Sequence, residues 1–89
     1  MKIKEGFVMR KVGGSFVAVP VLARAKEFNG QIRMNETGAF LFGKLASERS
    51  AEELTALLAA EYGLDTDEAE ADVRDFLKTL EDNGLLEKT

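Results

Sequence analysis

One stretch decides the fold: Gln31-Ile32-Arg33-Met34-Asn35-Glu36-Thr37-Gly38-Ala39-Phe40-Leu41-Phe42. An apolar-polar-apolar run, Ile32 to Met34, predicts a short strand. Asn35 follows, and an Asn side chain can accept a hydrogen bond from the free amides of a first helical turn. β-prone runs and glycine turns precede this stretch, whereas amphipathic helical patterns follow it. The stretch therefore predicts a strand that leads directly into a capped helix.

Two β-prone runs ahead of this stretch predict a hairpin. They cover residues 7–12 and 15–20 and flank Gly13-Gly14, a pair that can adopt the positive φ of a tight turn. A two-residue turn would place Val12 opposite Ser15, and the rest of the register follows from that pair. Residues 21–30 are interpreted as a connection to the third strand, Gln31 to Met34.

Three helices are predicted after the third strand. The first covers Glu36 to Ala46. The second begins at Ser50, which can form a capping box with Glu53, and ends at Gly63. The third begins near Asp65 or Thr66 and ends before Gly84. This order predicts an α+β, winged helix-turn-helix-like domain over residues 1–89, with a three-stranded antiparallel sheet followed by three helices.

The composition limits the chemistry that the chain can perform. Its 89 residues provide one domain, with 45% hydrophobic and 31% charged residues and neither Cys nor His. Disulfides, thiol nucleophiles, imidazole bases and the commonest metal ligands are therefore excluded. We predict a protein that is not an enzyme and needs no cofactor or metal. No apolar run is long enough to span a bilayer and no signal-peptide core is present, so a cytoplasmic protein without membrane contact is expected.

Charge is distributed unevenly along the chain. Residues 1–34 hold seven Lys or Arg and two acids, a net charge of +5, whereas residues 65–82 hold eight acids and two bases, a net charge of −6. A winged-helix domain usually binds DNA through a helix in the major groove. The predicted third helix would be repelled by phosphates, because Lys and Arg supply most of the non-specific affinity. We therefore expect no nucleic-acid partner.

A short third strand at a sheet edge would leave backbone groups unpaired. Such an edge can accept a strand from a partner, with backbone bonds giving affinity and side-chain pockets giving specificity. In the other interpretation, Ile32 and Met34 are ordinary core residues of a covered strand. The pattern by itself favours this second interpretation.

A family resemblance favours the peptide-binding interpretation. The order and spacing of several motifs are similar to the PqqD-like family (pyrroloquinoline quinone biosynthesis protein D). The motifs are Met34-Asn35-Glu36-Thr37-Gly38-Ala39-Phe40-Leu41-Phe42, Glu53-Leu54, Tyr62-Gly63, Asp72-Val73-Arg74-Asp75-Phe76-Leu77, Gly84-Leu85-Leu86 and the early Arg10. The resemblance covers essentially the whole chain.

The resemblance implies a peptide-recognition element without catalytic activity. Such a domain binds the leader of a ribosomally made precursor peptide by strand addition and presents it to a modifying enzyme, often a radical S-adenosylmethionine (SAM) protein. The leader would lie beside the third strand and against the third helix. The implied peptide-binding residues are Gln31, Ile32, Arg33, Met34, Asp72, Val73, Phe76, Leu77 and Leu80. For Val73 and Phe76 a core role is an equal alternative, and for each residue taken alone it is the favoured one.

Two other functions use the same fold. A winged-helix transcription regulator would be retained by DNA in a gel shift at low salt. A docking domain that pairs its free strand edge with a second copy would change its sedimentation with concentration. The expected state of this protein is a monomer or a weak dimer. The sequence does not identify the peptide or its modification.

Overall fold

A computed structural model describes residues 1–21 and 31–87 of the chain. Within these ranges the elements are β1 Lys2–Ile3, β2 Phe7–Val12, β3 Ser15–Pro20, β4 Ile32–Met34, α1 Glu36–Lys44, α2 Ala51–Tyr62, α3 Thr66–Asp82 and β5 Leu86–Glu87. The predicted α+β, winged helix-turn-helix-like order, a three-stranded antiparallel sheet followed by three helices, is confirmed. The connection predicted for residues 21–30 lies outside the described residues except for Val21.

The hairpin forms with the predicted register. Val12 lies opposite Ser15, and the pairing continues to Phe7 opposite Pro20. Gly13 adopts φ +63° in the turn, a conformation that glycine reaches at little cost. β3 then pairs antiparallel with β4, so the sheet order is β2-β3-β4 and β4 forms one edge.

Each helix begins where its capping residue predicts. The Asn35 side chain accepts from the Gly38 amide at 2.8 Å. Ser50 and Glu53 form both bonds of the capping box, at 3.0 and 3.1 Å. The Asp65 carboxylate accepts from the Glu68 amide at 2.8 Å, which fixes the start of α3. Local hydrogen bonds therefore fix the residue at which each helix begins.

The structure corrects two boundaries and adds a second sheet. The strand predicted from Gln31 begins at Ile32, and α1 ends at Lys44 rather than Ala46. A second sheet, β1 with β5, was not predicted. It joins the two ends of the described chain, since the Lys4 amide donates to the Leu85 carbonyl at 2.8 Å. Two-residue strands carry no periodicity, so the sequence pattern could not reveal this pairing.

The core lies between the sheet and the helices. Its fully buried side chains include Leu41, Leu45, Leu54, Leu58, Leu80 and Leu85. Ala18, Ile32 and Met34 contribute the inward face of the sheet. The core therefore fixes the position of α3 relative to β4, which is the relation on which the candidate site depends. None of the helices in the described ranges has the length and apolar character that crossing a membrane requires.

Candidate functional site

The hydrogen-bonding direction of β3 is fixed by the hairpin. A two-residue turn closes on a hydrogen-bonded pair, here Val12 and Ser15, and such pairs alternate along an antiparallel ladder. The Val21 amide donates to the Gly6 carbonyl at 2.8 Å, which is the bond that this alternation requires. The odd-numbered residues of β3 therefore direct their backbone groups toward β2. The even-numbered residues direct theirs toward β4.

This alternation determines which residue of β4 has an open backbone. Phe16 lies opposite Met34 and Ala18 opposite Ile32, so Ile32 and Met34 are the residues that bond to β3. Arg33, between them, directs its N–H and C=O groups away from β3. Within the described residues no backbone group bonds to either of them. β4 thus presents one donor and one acceptor at the edge of the sheet, as the edge-strand interpretation expects.

A groove of about 330 Å³ runs between this edge and α3. β4 and the start of α1 form one side, with Arg33, Met34, Asn35, Thr37, Gly38 and Leu41. α3 forms the other side, with Asp72, Asp75, Phe76 and Thr79. These four residues have the spacing of one helix face. The groove therefore joins an open strand edge to a single face of α3.

Gly38 allows the two sides of the groove to approach closely. A Cβ atom placed on Gly38 would lie 3.2 Å from the Met34 Cβ and 3.4 Å from Phe76 Cδ1. The same glycine donates its amide to the Asn35 side chain. Asn35 and Gly38 therefore act together: one fixes the start of α1, and the other lets α1, β4 and α3 meet at the floor of the groove.

The structure separates the predicted site residues into two groups. Arg33, Met34, Asp72 and Phe76 line the groove. Ile32 belongs to β4 but is only 7% exposed, so its side chain lies in the core and not in the groove. Gln31 is exposed and immediately precedes the strand. The strand and helix motifs that the resemblance singled out thus come together through these residues.

The other predicted residues do not line this groove. Val73 is 2% exposed and Leu80 is fully buried, and both pack in the core. Leu77 is half-buried and faces a different groove, of about 700 Å³, between α2 and α3. For Val73 the structure favours the core alternative, whereas Phe76 is half-buried and reaches the groove.

Sequence reasoning missed Asp75 and Thr79 on the groove-facing side of α3. Together with Asp72 and Phe76 they follow the i, i+3, i+4, i+7 pattern of one helix face. That pattern was visible in the sequence, but a helix of 17 residues has several such faces. Only the packing of Val73 and Leu80 into the core shows which face remains for the groove.

Charges of both signs border the groove. Arg33 on β4 and the two carboxylates of Asp72 and Asp75 on α3 are exposed. The ion pairs found among the described side chains, Arg49 with Glu53 and Lys78 with Asp82, lie elsewhere. Over residues 1–21 and 31–87 no three metal-ligating side chains converge. The arrangement can bind an extended chain through backbone bonds, apolar contacts and charge.

Comparisons with known proteins identify a family and a similar fold. The family described as coenzyme PQQ synthesis protein D (PqqD) matches residues 21–86. A solved structure, "TbiB1 in Complex with the TbiA(beta) Leader Peptide", is similar with a TM-score of 0.75 and 26% identity, covering 100% of this chain and 98% of that one. Among curated proteins none matches this chain significantly.

Proposed function

This chain belongs to the coenzyme PQQ synthesis protein D (PqqD) family, and we propose that it binds the leader of a precursor peptide by strand addition. The leader would lie in the groove between β4 and α3 and would pair with the N–H and C=O of Arg33. The open backbone of Arg33 beside this groove is the observation that carries the proposal. Of the predicted contact residues, Arg33 and the preceding Gln31 offer the strand edge, whereas Met34, Asp72 and Phe76 line the groove. Ile32 contributes only through its position in β4.

The similar TbiB1 structure supports a leader peptide as the ligand. That structure is a complex with a leader peptide, and it aligns with the whole of this chain. An unpaired strand edge is also a ready template for pairing with another chain. Strand pairing is tolerant of sequence, so selectivity must come from the side chains that line the groove, above all Phe76, Met34 and the charged residues.

We propose that the domain acts without catalysis of its own and presents the bound leader to a modifying enzyme, which in this family is often a radical SAM protein. The chain has no His or Cys, which removes the usual bases and thiol nucleophiles. The alternative of DNA binding gains no support from the structure. The exposed surface of α3 carries Asp72, Asp75, Asp67 and Glu68, which would repel phosphates.

The proposal is tested by titrating the protein with a labelled synthetic leader. The leader is taken from a precursor peptide encoded beside the gene for this protein. Saturable binding by fluorescence anisotropy is expected. A gel shift with duplex DNA at low salt serves as the comparison, and we expect no retention. DNA retention without leader binding would contradict the proposal and support a winged-helix regulator.

Phe76→Ala should weaken leader binding by about 10- to 30-fold, because buried aromatic contacts dominate such interfaces. Leu77→Ala is a matched control: it shortens the next residue of α3, which is also half-buried but faces the groove between α2 and α3. We expect that variant to bind within about twofold of the wild type. Equal losses for the two variants in isothermal titration calorimetry would remove Phe76 from the site.

A further inference from the structure

The open edge of β4 and the groove-facing side of α3 carry opposite charges that the described residues leave without ion pairs. Arg33 is exposed on β4, and Asp72 and Asp75 are exposed on α3. None of the three takes part in the ion pairs found among residues 1–21 and 31–87. The two cations of α3, Arg74 and Lys78, line the other groove, between α2 and α3, and Lys78 is paired with Asp82 at 3.5 Å. A bound peptide therefore meets one free cation and two free carboxylates.

The register of an added strand assigns each charge to a different peptide position. The peptide residue opposite Arg33 shares its side of the sheet, because directly paired residues point to the same face. The two neighbours of that residue point to the other face, which is the face of Met34 and Ile32. α3 packs on that face, since Val73 and Leu80 share the core with Ile32 and Met34. These neighbouring side chains are therefore directed toward Asp72 and Asp75.

We propose that the groove selects a peptide strand in which an acidic residue is followed or preceded by Lys or Arg. The acidic side chain pairs with Arg33, and the basic side chain reaches Asp72 and Asp75. The apolar floor of Met34 and Phe76 accommodates the aliphatic part of that basic side chain. This inference rests on the proposed function and names the class of peptide that the same site prefers.

A display selection tests the charge preference even when the sequence of the natural leader is unknown. The probe is a library of random ten-residue peptides, selected against the wild-type protein at low salt. We expect Lys or Arg adjacent to Asp or Glu to be enriched about three- to tenfold. Selected peptides should also bind several-fold more weakly at 500 mM salt, because exposed charge pairs are screened.

Variants show which residues cause the preference for basic side chains and which cause the preference for acidic ones. Asp72→Asn with Asp75→Asn should remove the Lys and Arg enrichment and weaken selected peptides about three- to tenfold. Arg33→Thr should remove the preference for acids. Asp67→Asn with Glu70→Gln changes the net charge of α3 equally but outside this groove, so the selected pattern should persist.

The outcomes separate the inference from the proposed function. Arg33→Pro removes the open amide, so its effect shows whether a peptide uses the β4 edge. Peptides that bind through this edge but show no charge pattern overturn the inference and leave the proposed function intact. A selection whose peptides are all insensitive to Arg33→Pro overturns the proposed strand addition and the inference with it.

Discussion

Arg33→Pro should weaken leader binding at least about 30-fold while the domain remains folded. Proline has no N–H, so the bound strand loses the donor at the centre of the edge and its own carbonyl is left unpaired. A lost hydrogen bond with an unsatisfied partner costs about 2 kcal/mol or more, which corresponds to about 30-fold in affinity. Calorimetry with the labelled leader measures the loss.

Arg33→Thr is the control that isolates this amide. It removes the same guanidinium group but keeps the N–H, so we expect only the few-fold loss attributable to charge. Urea unfolding checks the fold. We expect both variants to stay folded, since the Arg33 N–H takes no part in the pairing of β4 with β3. Near-equal affinities for the Pro and Thr variants, with both folded, would show that the peptide does not pair with this edge.

Leu80→Ala should reduce the free energy of unfolding by about 2–5 kcal/mol without removing the site. Leu80 is fully buried in the core, so its truncation leaves a cavity. That loss is large against the total stability of about 5–15 kcal/mol for a small domain. Urea denaturation measures it, and binding at low temperature should stay within about twofold of the wild type for the folded fraction.

This result would distinguish a core residue from a contact residue. The family resemblance grouped Leu80 with Phe76, but the structure places the first in the core and the second beside the groove. Leu77→Ala, at a half-buried position of the same helix, should cost less stability than Leu80→Ala. Unchanged stability with lost binding for Leu80→Ala would return this residue to the binding site.

Local rules predicted most of the fold because they act within a few residues. Asn35 with Gly38 and Ser50 with Glu53 are separated by three positions, and each forms the bond expected from its type. The Gly13 turn fixes the hairpin register in the same way. In contrast, β1 and β5 pair across nearly the whole chain, and no local pattern identifies such a partner.

The site was less accessible to sequence reasoning than the fold. The third strand and the third helix could be named as partners, and Arg33, Asp72 and Phe76 do come together. Asp75 and Thr79 were not predicted as site residues, because the face of α3 that lines the groove depends on how Val73 and Leu80 pack against the sheet. Similarly, the open backbone of Arg33 follows only once the register of β3 with β4 is known.

Amide hydrogen exchange at Arg33, followed by NMR with and without bound leader, tests strand addition most directly. In the free protein this amide should exchange rapidly, whereas those of Ile32 and Met34 should be slow because they bond to β3. We predict that saturating leader slows exchange at Arg33 by about tenfold or more and changes its neighbours far less. Unchanged exchange at Arg33 in a saturated complex would contradict binding by strand addition at β4.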